Sequence, residues 1–442
     1  MKRNNDIKFI RKRMWKFTGF LICCLAILFS CKSADEEEKV KDLPSLFPDY
    51  VNVSVPYNIA PLNFLLKDFS GQIEVRLSSS SSDYTFIGNE GKIRFPQNEW
   101  AELLNKEKGG VITVNVKAQK DGKWIVYPSF KWEIKAEAID DYVIYSKEVP
   151  GNVPNLNKSL MRREMSSFSE KEIHMEQPFF YAKFPDKVSF RGKERGNLGA
   201  YVMDSAFVSY ISVFPDRRRE NIGLHSSVLL VDFNNKQYKV LPDSISSDGD
   251  ISFVDLSFDS RKLFYCVSSG SVNPDSLLSL KYSLMSRDFN PADLSVSEKL
   301  DTVVNLPAVS VSYPSSSPDG NYIAYSVSAF GASSEWHDDS DMRLMNLHTG
   351  KIDSLQIVNS ANKADIVRGW SSNGHWLMFS SKREDGFFER IYFSYIDSTG
   401  MAHKPFMLPL EDASYYYYMM EIFGEPVMRE KSSSQGVNES SS

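Results

Sequence analysis

One pattern constrains this chain more than any other: a segment of eleven residues occurs three times in a single register. Ser317-Pro318-Asp319-Gly320-Asn321-Tyr322-Ile323-Ala324-Tyr325-Ser326-Val327 lies on Ser257-Phe258-Asp259-Ser260-Arg261-Lys262-Leu263-Phe264-Tyr265-Cys266-Val267. It also lies on Ser371-Ser372-Asn373-Gly374-His375-Trp376-Leu377-Met378-Phe379-Ser380-Ser381. Four residues past the Asp or Asn stands Leu or Ile, and two further on an aromatic, which is the period of a half-buried strand. The turn before it has its own chemistry: Asp259, Asp319 and Asn373 can satisfy turn amides, while Gly320 and Gly374 accept a positive φ. Hairpin signals follow at Leu347-His348-Thr349-Gly350 and Asp397-Ser398-Thr399-Gly400, so each unit supplies about four strands. At roughly 40–45 residues per unit, the stretch from Tyr142 to Pro426 holds six or seven. An all-β repeat architecture, a β-propeller over 141–430, is therefore expected.

Ahead of it, from about Pro48, shorter alternating runs succeed one another. These are Ile73, Val75, Leu77; then Ile112, Val114, Val116, Ala118; then Phe130, Trp132, Ile134, Ala136. Turn residues separate them, and one helix is expected from Asn98 to Lys106 with Trp100, Leu103 and Leu104 inward. Short half-buried strands at this density predict an Ig-like β-sandwich over 48–140. Aromatics make up 13% of the chain, consistent with pleated surfaces that broad rings cover well.

The start of the chain is an address. Seven Lys and Arg residues precede an apolar run from Phe17 to Ser30, too short for a bilayer span, which reads as a signal peptide over 1–30. It ends Leu28-Phe29-Ser30-Cys31, like the lipobox of bacterial lipoproteins, in which Cys31 would carry the lipid. The acidic run Asp35-Glu36-Glu37-Glu38 makes 31–47 an acidic tether, with outer-membrane anchoring on either the periplasmic or the cell-surface face. Without the leader, 44 basic and 56 acidic residues remain, and a formal charge of −12 argues against nucleic acid as a partner. Cys266 is then the one thiol not committed to leader or lipid, so no internal disulfide is expected. The Ser-rich stretch 431–442 is expected to be a disordered tail.

Few residues suggest chemistry. The six His never fall at ligand spacing, and no HExxH or CxxC motif supports a metal. Glu335 to Asp341, with His337 inside it, reads as a solvated loop, and Tyr415 to Tyr418 as an edge or closing strand. Arg162-Arg163 and Arg217-Arg218-Arg219 read as rim charges. No Gly-x-Ser-x-Gly elbow is present, and no following hydrolase domain is expected. A glycan-acting enzyme would need two carboxylates converging in a central funnel, which spacing cannot establish.

The Ser-Pro-Asp-Gly turn running into Tyr-Ile-Ala-Tyr resembles the repeat of TolB-like propellers, which implies six blades. A wider resemblance covers nearly the whole chain after the leader. It is to bacterial lipoproteins that place a small β domain before a TolB-like propeller and are often labelled cytochrome c biosynthesis proteins. Asn58-Ile59-Ala60-Pro61-Leu62-Asn63-Phe64, Asp140-Asp141-Tyr142-Val143-Ile144-Tyr145 and Lys404-Pro405-Phe406-Met407-Leu408-Pro409 with Glu411-Asp412 carry it. Many members of that group have a haem-attachment Cys-x-x-Cys-His before the first propeller strand; the matching stretch here, Glu176 to Tyr181, has neither Cys nor His. The resemblance implies a non-enzymatic envelope lipoprotein without cofactor, whose propeller binds or scaffolds a protein partner while the sandwich spaces it from the membrane. The alternative it implies is an accessory factor in envelope electron transfer or cytochrome assembly.

Overall fold

Period-two apolar runs become strands along the length of the chain. The computed structural model describes residues 37–148, 158–175, 177–185, 188–211, 219–242, 245, 249–270, 278–331 and 334–431, and it is almost entirely β. Cys31, the expected leader, Arg217-Arg218 and the Ser-rich end after Lys431 lie outside the described residues. The amino-terminal unit has two sheets. A seven-stranded mixed sheet centres on Val111–Lys120, which pairs with Ile73–Ser78, Lys123–Val126 and Phe130–Lys135; Val53–Pro56 runs parallel to the last of these. Three short strands, Leu46–Phe47, Phe64–Leu66 and Lys92–Ile93, form the second sheet. The predicted inward residues of these strands from Ile73 to Ile134 are buried, whereas Ala136 lies past the end of Phe130–Lys135 and is exposed.

The helix spans Gln97–Lys106, one residue earlier than the sequence suggests. Pro96 precedes it, fixing φ for entry without a capping side chain, and Trp100, Leu103 and Leu104 form its buried face. Trp100 Nε1 donates to Ile59 O at 2.9 Å, so the ring's polar edge is satisfied inside the core. The tether differs from expectation over its second half. Glu37–Lys39 pairs parallel with Trp124–Val126, and Leu46 and Phe47 are core residues. Two apolar side chains and a Lys117–Glu37 ion pair at 2.7 Å outweigh the solvation of an acidic run.

Five antiparallel sheets of four or five strands follow among the described residues. The first joins Tyr142–Glu148, Lys158–Glu164 and Glu170–Glu172 to the carboxy-terminal strand Ile422–Arg429, so the two ends of this region close on each other. The other four are consecutive meanders whose first strands are Ser189–Arg195, Ile251–Leu256, Ser310–Ser316 and Asp365–Trp370. These inner strands lie side by side in succession, with Ile422–Arg429 next to Asp365–Trp370. Arg429 reaches back to Glu194 at 3.8 Å. The expected six units are thus five among the described residues. The count is lower because the second meander spends fourteen residues on each of Leu198–Ile211 and Arg219–Asp232, longer than a uniform unit allows.

The amino-terminal unit does not stand apart. One apolar cluster runs without interruption from Leu46 through Trp132 to Trp376, Phe406 and Met428. Across the seam Tyr50 Oη donates to Met407 O at 3.2 Å, and Asn63 Nδ2 donates to Glu411 O at 2.9 Å. Trp376 Nε1 donates to Glu137 O at 3.1 Å, and Lys404 pairs with Asp49 at 2.8 Å. The three stretches that carry the family resemblance all contribute to this seam, by which the amino-terminal unit packs onto the fifth sheet.

Candidate functional site

The repeat turns take one hydrogen-bond scheme in all three copies. Ser257, Ser317 and Ser371 each donate Oγ to Asp259, Asp319 or Asn373 and accept the backbone N–H of Lys262, Tyr322 or Trp376 at 2.8–3.0 Å. The same Asp or Asn oxygen accepts the amide two residues on. Ser260, Gly320 and Gly374 have φ of 55°, 70° and 77°, as the turn requires. The Ser hub was visible in the sequence as a position common to all three copies. These residues lie in three separate sheets and build no common site. Their role is to set the register that buries Leu263, Ile323 and Leu377.

The inner strands gather polar groups that sequence reasoning did not single out. Four of the five break register once: at Phe253, at Tyr313-Pro314, at Arg368 and at Glu425-Pro426. Phe253, Tyr313 and Glu425 take φ of 52°, 49° and 46°, a conformation that costs about 1–3 kcal/mol for a side-chain-bearing residue. Tyr265, Tyr325 and Tyr145 lie across the sheet from these three bulges. The bulged residues face one another. Phe253 and Tyr313 have ring centroids 4.5 Å apart, the Arg368 guanidinium lies 5.1 Å from the Tyr313 ring, and Glu425 is in the field of Arg368. Local disruption of a ladder re-aims side chains, and here it aims four toward one axis.

The fifth inner strand adds cations by alternation: Arg191, Lys193 and Arg195. Lys193 Nζ crosses to donate to Pro314 O at 2.9 Å. Burial pulls its ammonium down to about 8, opposed by Asp255 and reinforced by Arg195 and Arg368. Arg195 pairs with buried Asp255 at 3.1 Å, Arg368 with Glu389 at 2.9 Å, and Tyr313 donates to Glu335 at 3.0 Å. Arg191 binds Asp204 through Nε and one Nη, yet 46% of its side chain stays exposed. Glu425 is exposed and makes no hydrogen bond or ion pair among the described residues. A cleft of about 460 Å³ opens elsewhere, beside the Arg195–Leu198 and Phe258–Ser260 turns.

Several sequence expectations change here. His337 is buried against Phe330, with ring centroids 3.9 Å apart, because the Ser334–Trp336 turn folds it under the loop. The acidic loop around it disperses: Glu335 serves Tyr313, and Asp339 accepts the Ala329 amide. Among the described residues no group of three or more His, Cys, Asp or Glu is placed to hold a metal. Cys266 is buried in its strand, and desolvation pushes its thiol well up. Phe180 is buried among Tyr181, Phe190 and Tyr201, with centroids 5.0–5.2 Å away.

Tyr415–Tyr418 is a short helix rather than a strand. Asp412 accepts the Ser414 amide and hydroxyl and starts the turn, and Tyr416 alone is buried, its Oη donating to Leu408 O at 2.8 Å. Its neighbours project outward: Tyr418 is 82% exposed, Met420 68% and Tyr417 51%. Tyr417 rests on Phe47 of the amino-terminal unit, centroids 4.2 Å apart, so the patch straddles the seam.

No protein-family model and no curated protein matches the chain. Solved structures that overlap with it include a prolyl endopeptidase, at 12% identity and TM-score 0.34, over 69% of this chain and 36% of that one. Another is the periplasmic gluconolactonase of Pseudomonas aeruginosa, at 12% identity and TM-score 0.31, over 59% of this chain and 80% of that one. A third is a puromycin-hydrolyzing peptidase of Mycobacterium tuberculosis, at 10% identity and TM-score 0.31, over 60% and 38%. The chain spans about a third of the length of the prolyl endopeptidase it overlaps. At these scores the overlaps carry no argument about activity.

Proposed function

We propose that this chain is a non-enzymatic envelope lipoprotein. Cys31 holds it to the outer membrane, and a five-bladed propeller with a docked Ig-like sandwich presents a surface to a protein partner. The observation that carries this reading is the patch of Tyr415, Tyr417, Tyr418 and Met420. Aromatic and Met side chains are enriched where proteins bind proteins, and a short helix anchored through Tyr416 fixes the backbone that holds these ones outward. The fused seam supports it further, since a rigid platform lowers the cost of association. The aromatic core around Phe180, which takes the place of a haem-attachment motif, favours this reading over the electron-transfer alternative.

The test is affinity purification of the lipidated protein from cross-linked intact cells, comparing the natural sequence with a Tyr417→Ser, Tyr418→Ser, Met420→Ser variant. A discrete protein lost from the variant, with unchanged thermal stability of the variant, is the expected result. Loss of palmitate-analogue labelling in Cys31→Ala tests the anchor. Identical captured proteins in both forms would overturn the patch as the binding surface.

A further inference from the structure

The bulged residues of the inner strands form an arrangement that neither the turn scheme nor the tyrosine patch uses. Holding Phe253, Tyr313 and Glu425 at positive φ is unfavourable at every one of the three. Strain of this kind persists where the surrounding fold imposes it, and it concentrates at functional sites. Here it produces a half-buried aromatic pair, Phe253 and Tyr313, next to open groups of opposite character. Arg191 has one Nη that makes no bond among the described residues, and Glu425 has a carboxylate that makes no hydrogen bond among them and lies in the field of Lys158 and Arg368.

The remaining groups define what can bind between them. Four cations, Arg191, Lys193, Arg195 and Arg368, stand against five carboxylates, Asp204, Asp255, Glu335, Glu389 and Glu425, an excess of one negative charge. A formal anion is therefore disfavoured. A cation would meet the exposed Arg191 and find the Tyr313 face already taken by Arg368. A hydroxyl both donates and accepts, so hydroxyls can serve Glu425 and Arg191 together, and the apolar C–H face of a ring can cover Phe253. We infer that the bulge residues Phe253, Tyr313 and Glu425, together with Arg191 of the regular strand Ser189–Arg195, form a binding site for a neutral sugar ring. This site is separate from the tyrosine patch and does not depend on the protein-binding reading.

The experiment uses the full folded chain without its leader and calorimetric titration with maltohexaose, cellohexaose, mannohexaose and chitohexaose, alongside galacturonic acid oligomers and choline. Binding of at least one neutral oligosaccharide is expected, weakened tenfold or more by Glu425→Gln and by Phe253→Ala. Glu425→Gly is the decisive variant, because it relieves the positive φ: its melting temperature should equal or exceed that of the natural sequence while sugar affinity falls tenfold or more. Absence of binding by all four neutral sugars would overturn the proposal. So would preferential binding of the uronate or choline, or unchanged affinity in Glu425→Gly.

Discussion

Tyr325 is a repeat aromatic and His337 a loop histidine, yet both are buried, and their energetic roles follow from what each touches. Tyr325 is fully enclosed, and its hydroxyl has no partner among the described residues. Tyr325→Ala should cost about 3–5 kcal/mol, whereas Tyr325→Phe should be neutral or stabilising, since it removes a buried polar atom that gains nothing from folding. His337 packs on Phe330 under its loop, so His337→Ala should cost about 1–3 kcal/mol rather than the near-zero expected of a solvated residue. Urea unfolding of the three variants checks all three values. The burial of Tyr325 was legible because period-two patterning is local. That of His337 was not, because it depends on a turn at Ser334–Trp336 that acidic composition disguises.

Among elements, the repeat turn is the most legible from sequence, and the reason is that its hydrogen bonds close within six residues, from Ser317 to Tyr322. Ser317→Ala removes a hydroxyl that serves both Asp319 and the Tyr322 amide, and should cost about 1–2 kcal/mol. Gly320→Ala, at φ 70°, should cost about 1 kcal/mol, and the corresponding Gly374→Ala a similar amount. Denaturant midpoints at unchanged m-value check these; a changed m-value would mean that the turn does more than set register. The bulges were only partly legible. Nothing at Phe253 announces a break in pairing, because the extra residue is defined only against the partner strand, whereas Pro314 and Pro426, which cannot donate to a ladder, mark the breaks at Tyr313 and Glu425. The tyrosine run failed for a related reason: its alternation fits a strand, but the turn that Asp412 closes onto Ser414 leads it into a helix.

At the scale of the molecule, the seam between the amino-terminal unit and the five sheets was the least visible feature, since each of its contacts joins residues far apart in the chain. Asp140 is its titrating member. Its carboxylate accepts the Ser372 amide and hydroxyl at 2.8 and 3.0 Å, yet burial raises it to about 6, helped by Glu430 and Asp141. The folded state thus holds this proton more tightly than the unfolded chain does. The associated stability is complete below about pH 4 and is lost as pH rises through about 6. That loss is about 2–3 kcal/mol. Asp140→Asn should therefore gain stability relative to the natural sequence between pH 4 and pH 7, and parallel pH–stability curves would contradict the assignment.

The same seam sets the position of the exposed tyrosines, because Phe47 from one unit supports Tyr417 from the other. Whether this surface meets a protein is read out by placing a photo-crosslinking amino acid at Tyr418 in intact cells. The matched control is Ile87, which is also exposed but lies on the amino-terminal sheet. A discrete adduct of higher mass is expected from position 418 and none of that mass from position 87. No adduct at 418, or the same adduct from both positions, would contradict it.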